Sequence, residues 1–138
     1  MHLAAYMLFV RRSARTQALN RGAMTIEERA IGSVMVLDVS GRLVLGDGDQ
    51  LLKERVASHF DKGNRQIVLN VSNLSYVDSS GLGVIVASFL AARTVGGALR
   101  LVNPSSRLQQ LLAMAKLLTV VEVCKSDEEA IESLGVPT

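Results

Sequence analysis

The sequence contains few of the residues that cross-link small domains or coordinate metals. Its 138 residues include one cysteine, two prolines and two histidines, and tryptophan is absent. The single Cys124 cannot form an internal disulfide, and no second cysteine or histidine pair has the spacing of a zinc site. We therefore predict no metal and no cofactor, and nothing in the cysteine content indicates an oxidising compartment. The expected location is the cytoplasm.

Long apolar runs are also missing from the sequence. The apolar run at the start, Leu3 to Val10, is far shorter than the roughly 20 residues that span a bilayer. Arginines follow this run rather than precede it, which is the wrong order for an export signal. The sequence thus predicts no transmembrane segment.

The charge distribution argues against nucleic-acid binding. The isoelectric point is near 9.0, but the first 23 residues carry four arginines and no acidic residue. Residues 24–138 hold 11 basic and 13 acidic residues, so the body of the chain has a net charge of −2. Without a basic cluster or many aromatic residues, this body lacks the footprint of a DNA- or RNA-binding protein.

We divide the chain into an N-terminal extension, residues 1–23, and one domain, residues 24–138. Three interpretations of the extension stay open: a disordered tail produced by an upstream start codon, with Met24 as the true start; an ordered helix or strand that packs on the body; or an amphipathic contact with a membrane or partner.

From Met24 onward the apolar periodicity alternates between strand-like and helix-like, as in α/β domains. Strands are predicted at residues 26–30, 34–39, 66–71, 98–102 and 120–123, with a loop over residues 72–78. Helices are predicted to begin at caps Asp49, Asn103 and Ser126, with a further helix beginning after residue 78 on the apolar stripe Leu82, Ile85, Val86, Phe89 and Leu90. The predicted fold is a small mixed sheet of four to five strands with about four α-helices packed on it.

The most informative segment runs from Tyr76 to Gly83, YVDSSGLG, where a helix begins. Asp78 or Ser79 is placed to cap this helix, and its free N–H groups and dipole favour an anion at that end. A phosphoryl group there would add about −1.5 to −2 charge to a nearly neutral surface. Gly81 and Gly83 are poor helix formers, which suggests that a partner approaches closely over the serine hydroxyls. From these residues alone, a simple capped helix entry remains the alternative.

The run from Ile67 to Gly83, IVLNVSNLSYVDSSGLG, resembles the signature of STAS domains. Two further elements agree in order: VSGRL at residues 39–43 and GGALRLVNP at residues 96–104. Residues 108–118 resemble the family's next helix, so the similarity extends over residues 24–134.

The resemblance to the anti-sigma factor antagonist branch of this family implies a non-catalytic, bacterial partner-switching protein. The unphosphorylated form would bind an anti-sigma factor that is a serine kinase. That kinase would phosphorylate Ser79, with Ser80 as the fallback, and a PP2C-type phosphatase would reverse the reaction. Through the same resemblance, the expected partner-binding residues are Asp78, Ser79, Ser80, Gly81, Leu82 and Gly83.

Some residues differ from those of the best-known members of the family. After Gly41 these members tend to carry a polar or acidic residue and then an aspartate, whereas here the two places hold Arg42 and Val44. The alternative function is therefore a STAS interaction subunit of a lipid or ABC transport system or of a stressosome-like scaffold. A Ser-His-Asp hydrolase is disfavoured because His59 is expected on a helix surface. Cys124 is expected to be buried and inert.

Overall fold

A computed structural model describes residues 16–135, which form a six-stranded sheet with four helices. The strands are β1 (Thr16–Arg21), β2 (Met24–Ile31), β3 (Val34–Leu43), β4 (Gln66–Val77), β5 (Ala98–Val102) and β6 (Val123–Cys124). The helices are α1 (Asp47–Asp61), α2 (Ser79–Thr94), α3 (Ser106–Met114) and α4 (Asp127–Ser133). The predicted mixed α/β class and helix count are confirmed, and the sheet has one strand more than the upper prediction.

The strands lie in the sheet in the order in which they occur in the chain. β1, β2 and β3 pair antiparallel, and β3, β4, β5 and β6 pair parallel. Helices connect the parallel strands, as such connections require. The carboxyl ends of β3 and β4 meet at one edge, where Leu43 is in register with Val77.

Alternate side chains of the strands enter two separate cores on the two faces of the sheet. On β4, Ile67 and Leu69 belong to the larger core, while Val68 belongs to the smaller one. Apolar residues of α1, α2 and α3 complete the larger core, and Ala130 and Ile131 of α4 complete the smaller one. This two-sided burial explains the near-continuous apolar sequence of β4.

The predicted boundary between residues 23 and 24 falls in the turn between β1 and β2. Thr16–Arg21 is an edge strand paired with β2, and the Arg21 guanidinium donates a 2.9 Å hydrogen bond to Glu54 of α1. Residues 16–21, at the end of the predicted extension, thus form a strand of the sheet. Leu3 to Val10 and the other residues before Thr16 lie outside the described part.

Two predicted helix caps were wrong. α1 begins at Asp47 with Gly46 as its N-cap, and Asp49 is buried in the first turn. α3 is capped by Ser105, whose hydroxyl accepts a 3.1 Å hydrogen bond from the Leu108 N–H. Asn103 instead has a positive φ of 54° and lies before the helix. In both cases a neighbouring residue satisfied the same preference for a polar or glycine cap.

Two strand lengths also differ from the prediction. Residues 72–77, predicted as loop, continue β4, because residues 40–43 extend β3 and pair with them across two register shifts. β6 contains two residues, Val123 and Cys124, rather than residues 120–123. On α2 the predicted apolar stripe holds except at Leu90, whose side chain is 50% exposed.

Candidate functional site

The start of α2 is fixed by the carboxylate of Asp78, the N-cap residue. Its Oδ1 accepts a 2.9 Å hydrogen bond from the Gly81 N–H, and its Oδ2 accepts another of 2.9 Å from the Leu45 N–H. The backbone N–H of Asp78 donates to the Leu43 carbonyl at 3.2 Å. One side chain therefore holds together the loop after β3, the end of β4 and the first turn of α2.

These contacts also fix the charge of the carboxylate. The Leu45 N–H, and after it the Gly81 N–H, lower the pKa of Asp78 below its ordinary value because they donate to the ionised form. Asp78 is consequently a fixed negative charge at neutral pH. Both of its oxygens are engaged in positioning backbone.

The six residues predicted to form the partner surface differ in exposure. Ser79 and Gly83 are exposed, Asp78, Ser80 and Leu82 are half-buried, and Gly81 is buried. Leu82 packs against the larger core. The hydroxyl of Ser79 has no hydrogen-bond partner among residues 16–135.

The two glycines of α2 differ in how much space surrounds them. A Cβ on Gly81 would lie 2.7 Å from Cγ of Leu43 and closer still to the Leu43 carbonyl oxygen. A Cβ on Gly83 would meet no atom within 4 Å. Close packing of α2 on the end of β3 therefore requires Gly81, and the access expected from the sequence applies to Gly83 alone.

A groove of about 550 Å³ separates α1 from α2 on their outer side. Its walls are mainly apolar, with Val56, Phe60, Val84 and Val95 among them. Ser80 and Gly83 also line it, so the groove reaches the start of α2. The sequence did not reveal this groove, because it depends on the relative placement of two helices that are 18 residues apart in the chain.

An aromatic and cationic cluster lies near the carboxyl ends of β3 and β4. Tyr76, near the end of β4, is 42% exposed. The guanidinium carbon of Arg42 lies 5.5 Å from the ring centroid, and that of Arg107 lies 6.0 Å from it. Leu45, which follows β3, is 73% exposed and adds apolar surface beside Asp78.

The prediction that His59 lies on a helix surface was wrong. Its side chain is 4% exposed, and Nε2 lies 3.1 Å from Oε2 of Glu28. Arg55 donates two hydrogen bonds to the same carboxylate, at 2.8 and 2.9 Å. Burial would raise the pKa of Glu28, but the hydrogen bonds from Arg55 and His59 outweigh burial and lower that pKa. His59 thus belongs to a buried ionic cluster that joins α1 to β2.

Cys124 is buried, as expected, and burial raises the pKa of its thiol. Among residues 16–135 there is no group of three His, Cys, Asp or Glu side chains that could hold a metal ion. Within the same range, no helix combines the length and the apolar character needed to cross a bilayer.

Comparison with known proteins identifies the family. The family model for the STAS domain matches residues 25–130. The chain is 29% identical over 82 residues to the anti-sigma-B factor antagonist of Bacillus subtilis, a match that covers 59% of this chain and 74% of that protein. It is 26% identical over 113 residues to the anti-sigma F factor antagonist of Paenibacillus polymyxa, covering 82% of this chain and 97% of that one.

The structural comparison agrees with these sequence matches. The unphosphorylated form of the anti-sigma factor antagonist SpoIIAA superimposes with a TM-score of 0.62, covering 89% of this chain and 100% of that one. At 19% identity, this likeness concerns the fold alone. The chain belongs to the STAS domain family, and its relatives include anti-sigma factor antagonists.

Proposed function

We propose that this protein is an anti-sigma factor antagonist that binds an anti-sigma factor serine kinase when Ser79 is unphosphorylated. Phosphorylation of Ser79 by that kinase dissociates the complex, and a PP2C-type phosphatase restores the form that binds. Asp78 positions the site, and the exposed parts of residues 79–83 form contact surface. The protein acts through binding rather than catalysis, and residues 24–138 form the interacting domain.

The observation that supports this proposal most strongly is the combination of exposure and fixed geometry at Ser79. Its hydroxyl is exposed and unpaired, so a kinase can reach it without disrupting a hydrogen bond. The backbone beneath it is anchored by the two 2.9 Å bonds of Asp78. Ser79, the first residue of α2, presents a free hydroxyl and is not needed as the cap, because Asp78 already provides it; this suits an acceptor of phosphate better than a simple capped helix entry.

The expected effect of phosphate is electrostatic. Phosphoserine carries about −1.5 to −2 charge at neutral pH. At the N-terminus of α2 the helix dipole stabilises that charge within the free protein. In a closely packed complex the same charge must be desolvated, and it sits beside the ionised Asp78, so binding weakens. SpoIIAA, whose fold this chain shares, has been solved in unphosphorylated and phosphorylated forms, so this fold accommodates a phosphoryl group.

The first experiment is mass spectrometry of the protein isolated from its native host. Trypsin alone gives a peptide of residues 66–93, which contains five serines. Added Asp-N cleavage before Asp78 reduces this to residues 78–93, with Ser79, Ser80 and Ser88 as the remaining acceptors. Fragment ions then distinguish Ser79 from its neighbour. We expect phosphate on Ser79 under at least one growth condition.

Partner binding tests the second half of the proposal. The wild-type chain should capture a serine-kinase anti-sigma factor from the host lysate. Ser79→Ala should hold it constitutively and Ser79→Asp should lose it. Ser33→Ala, at an exposed serine in the turn between β2 and β3, serves as the control and should behave as wild type. Absence of phosphate in every condition, together with a co-purifying transporter or scaffold subunit, would support the alternative STAS role and leave Ser79 as an exposed helix residue.

A further inference from the structure

The cluster of Arg42, Tyr76 and Arg107 is a feature that neither the helix cap nor the phosphorylation cycle uses. We propose that this cluster binds an acidic segment of the protein partner, with carboxylates on the two guanidinium groups and an apolar side chain against the Tyr76 ring. The inference rests on the proposed function for the position of the partner-binding face, and it adds the chemistry of the partner.

The positions of the three side chains are set by the fold. Arg42 and Tyr76 are register partners on the parallel strands β3 and β4. Arg107 is the second residue of α3. Both guanidinium groups lie within 6.0 Å of one ring centroid, close enough for cation–π attraction. The cluster therefore presents two guanidinium groups against one exposed aromatic ring.

Both arginines lack an acidic partner in the described part of the chain. Arg42 and Arg107 are exposed, and among residues 16–135 neither forms an ion pair or donates a hydrogen bond to another side chain. Other arginines here do pair: Arg29 with Asp38, Arg55 with Glu28, and Arg100 with Glu122. The donors of Arg42 and Arg107 are thus free for an external acceptor.

The placement of Arg107 adds to this argument. A cation in the first turn of a helix is disfavoured by the dipole, and α3 has no acidic residue there to offset it. A second cation, Arg42, shares the same ring. The ring attracts each cation, but nothing in the described part of the chain offsets the repulsion between the two guanidinium groups or that between Arg107 and the helix dipole. Carboxylates from outside would compensate both charges through two-pronged guanidinium hydrogen bonds.

The cluster fits an acidic protein segment better than a nucleic acid. Residues 24–138 carry a net charge of −2, so a phosphate backbone running beyond the cluster would meet a surface without further excess of positive charge. Tyr76 itself is 42% exposed, and Leu45, three residues after Arg42 in the chain, is 73% exposed. Exposed apolar and aromatic residues flanked by arginines are typical of protein interfaces.

The test uses the full unphosphorylated chain and a synthetic peptide, acetyl-Gly-Glu-Glu-Phe-Glu-Glu-Gly-amide. Its matched control replaces every Glu by Gln. Binding is followed by ¹H–¹⁵N NMR, including the arginine Nε–H signals. We expect shifts at Arg42, Tyr76 and Arg107 with the acidic peptide only, weakening as sodium chloride is raised from about 50 to 200 mM.

Charge-reversal variants locate the site. Arg42→Glu and Arg107→Glu should each weaken peptide binding on the order of tenfold. Arg65→Glu is the matched control, because this substitution changes the net charge by the same amount. Arg65 is also exposed, and it precedes the opposite end of β4 from Tyr76. It should bind nearly as wild type. All three arginines are exposed, and the dispersion of each spectrum verifies folding.

Three results would overturn the inference: no shifts with the acidic peptide, equal weakening in all three variants, or the same shifts with inorganic phosphate at equal concentration. The last result would indicate a simple anion site. None of these outcomes bears on phosphorylation of Ser79, because the peptide experiment uses no kinase. Conversely, a chain that is never phosphorylated can still show the peptide response.

Discussion

Substitution of Gly81 and of Gly83 by alanine should change stability in opposite directions. Both glycines lie in the first turns of α2, and alanine in a helix gains up to about 1 kcal/mol over glycine. At Gly83 the new methyl meets no atom within 4 Å. Gly83→Ala should therefore stabilise the protein by somewhat less than about 1 kcal/mol.

At Gly81 the same methyl collides with Leu43. Its Cβ would lie 2.7 Å from Cγ and nearer still to the carbonyl oxygen, which is backbone and cannot rotate away. Overpacking of a core costs about 1–3 kcal/mol, and more where backbone must shift. With the helix gain of about 1 kcal/mol subtracted, Gly81→Ala should lose roughly 2 kcal/mol, because a clash with backbone falls at the upper end of this range.

Urea unfolding at pH 7, followed by circular dichroism, measures both variants against wild type. The difference between them should be about 2–3 kcal/mol, with equal m-values, since the two changes are chemically identical. A Gly81→Ala variant as stable as wild type would show that α2 does not pack on β3 as described. It would then be simplest to assign Gly81 to the partner surface alone.

Three further predictions concern the buried polar groups. Arg29→Ala should lower the free energy of unfolding by about 2–4 kcal/mol, since it strips Asp38 and Asp127 of a guanidinium at 2.7 and 3.1 Å; hydrogen exchange should increase in α4 first, and unchanged exchange there would contradict this. The pKa of Glu28 is lowered in the folded state, so ionised Glu28 stabilises the fold above pH 4.5, the ordinary pKa, and this stabilisation is lost as the pH falls through the folded pKa. The urea midpoint of wild type should therefore drop more steeply below pH 5 than that of Glu28→Gln, and parallel curves would refute the assignment. Cys124 should react with a thiol reagent such as DTNB only slowly in the native protein and at once in denaturant, because the thiol is buried and its pKa is raised; rapid native reaction would show local opening around β6.

The sequence predicted the features that depend on local periodicity and composition. Short apolar and β-branched runs located β2, β3, β4 and β5, and the DSSG segment located the start of α2, with Asp78 or Ser79 as its cap. Ser126 capped α4 as expected, with its hydroxyl accepting a 3.1 Å bond from the Glu129 N–H. These signals are short-range, and each has a direct physical cause in the residues themselves.

The features that the sequence did not predict depend on contacts between distant residues. Residues 72–77 have a polar, loop-like composition, yet β3 provides hydrogen-bond partners that make them strand. His59 was expected on the surface, although it follows Leu52 by seven positions and Val56 by three and so shares their buried face; Glu28 on β2 provides the buried acceptor that a histidine there needs. The requirement for Gly81 comes from Leu43, 38 positions earlier in the chain. In each case tertiary packing overrides the local pattern.

The order of the strands also bears on how the chain folds. Because every strand lies beside its neighbour in sequence, no pairing has to skip over an intervening strand. Even the parallel partners are at most 34 positions apart, as in Leu43 and Val77, which limits the cost of loop closure at each step. The β2–β3 hairpin needs only the turn at Gly32 and Ser33, where Gly32 has a φ of 59°. Each later parallel strand adds to an existing edge. We therefore expect rapid folding for a mixed α/β domain, with structure able to grow from the N-terminal hairpin toward β6 as the polypeptide leaves the ribosome.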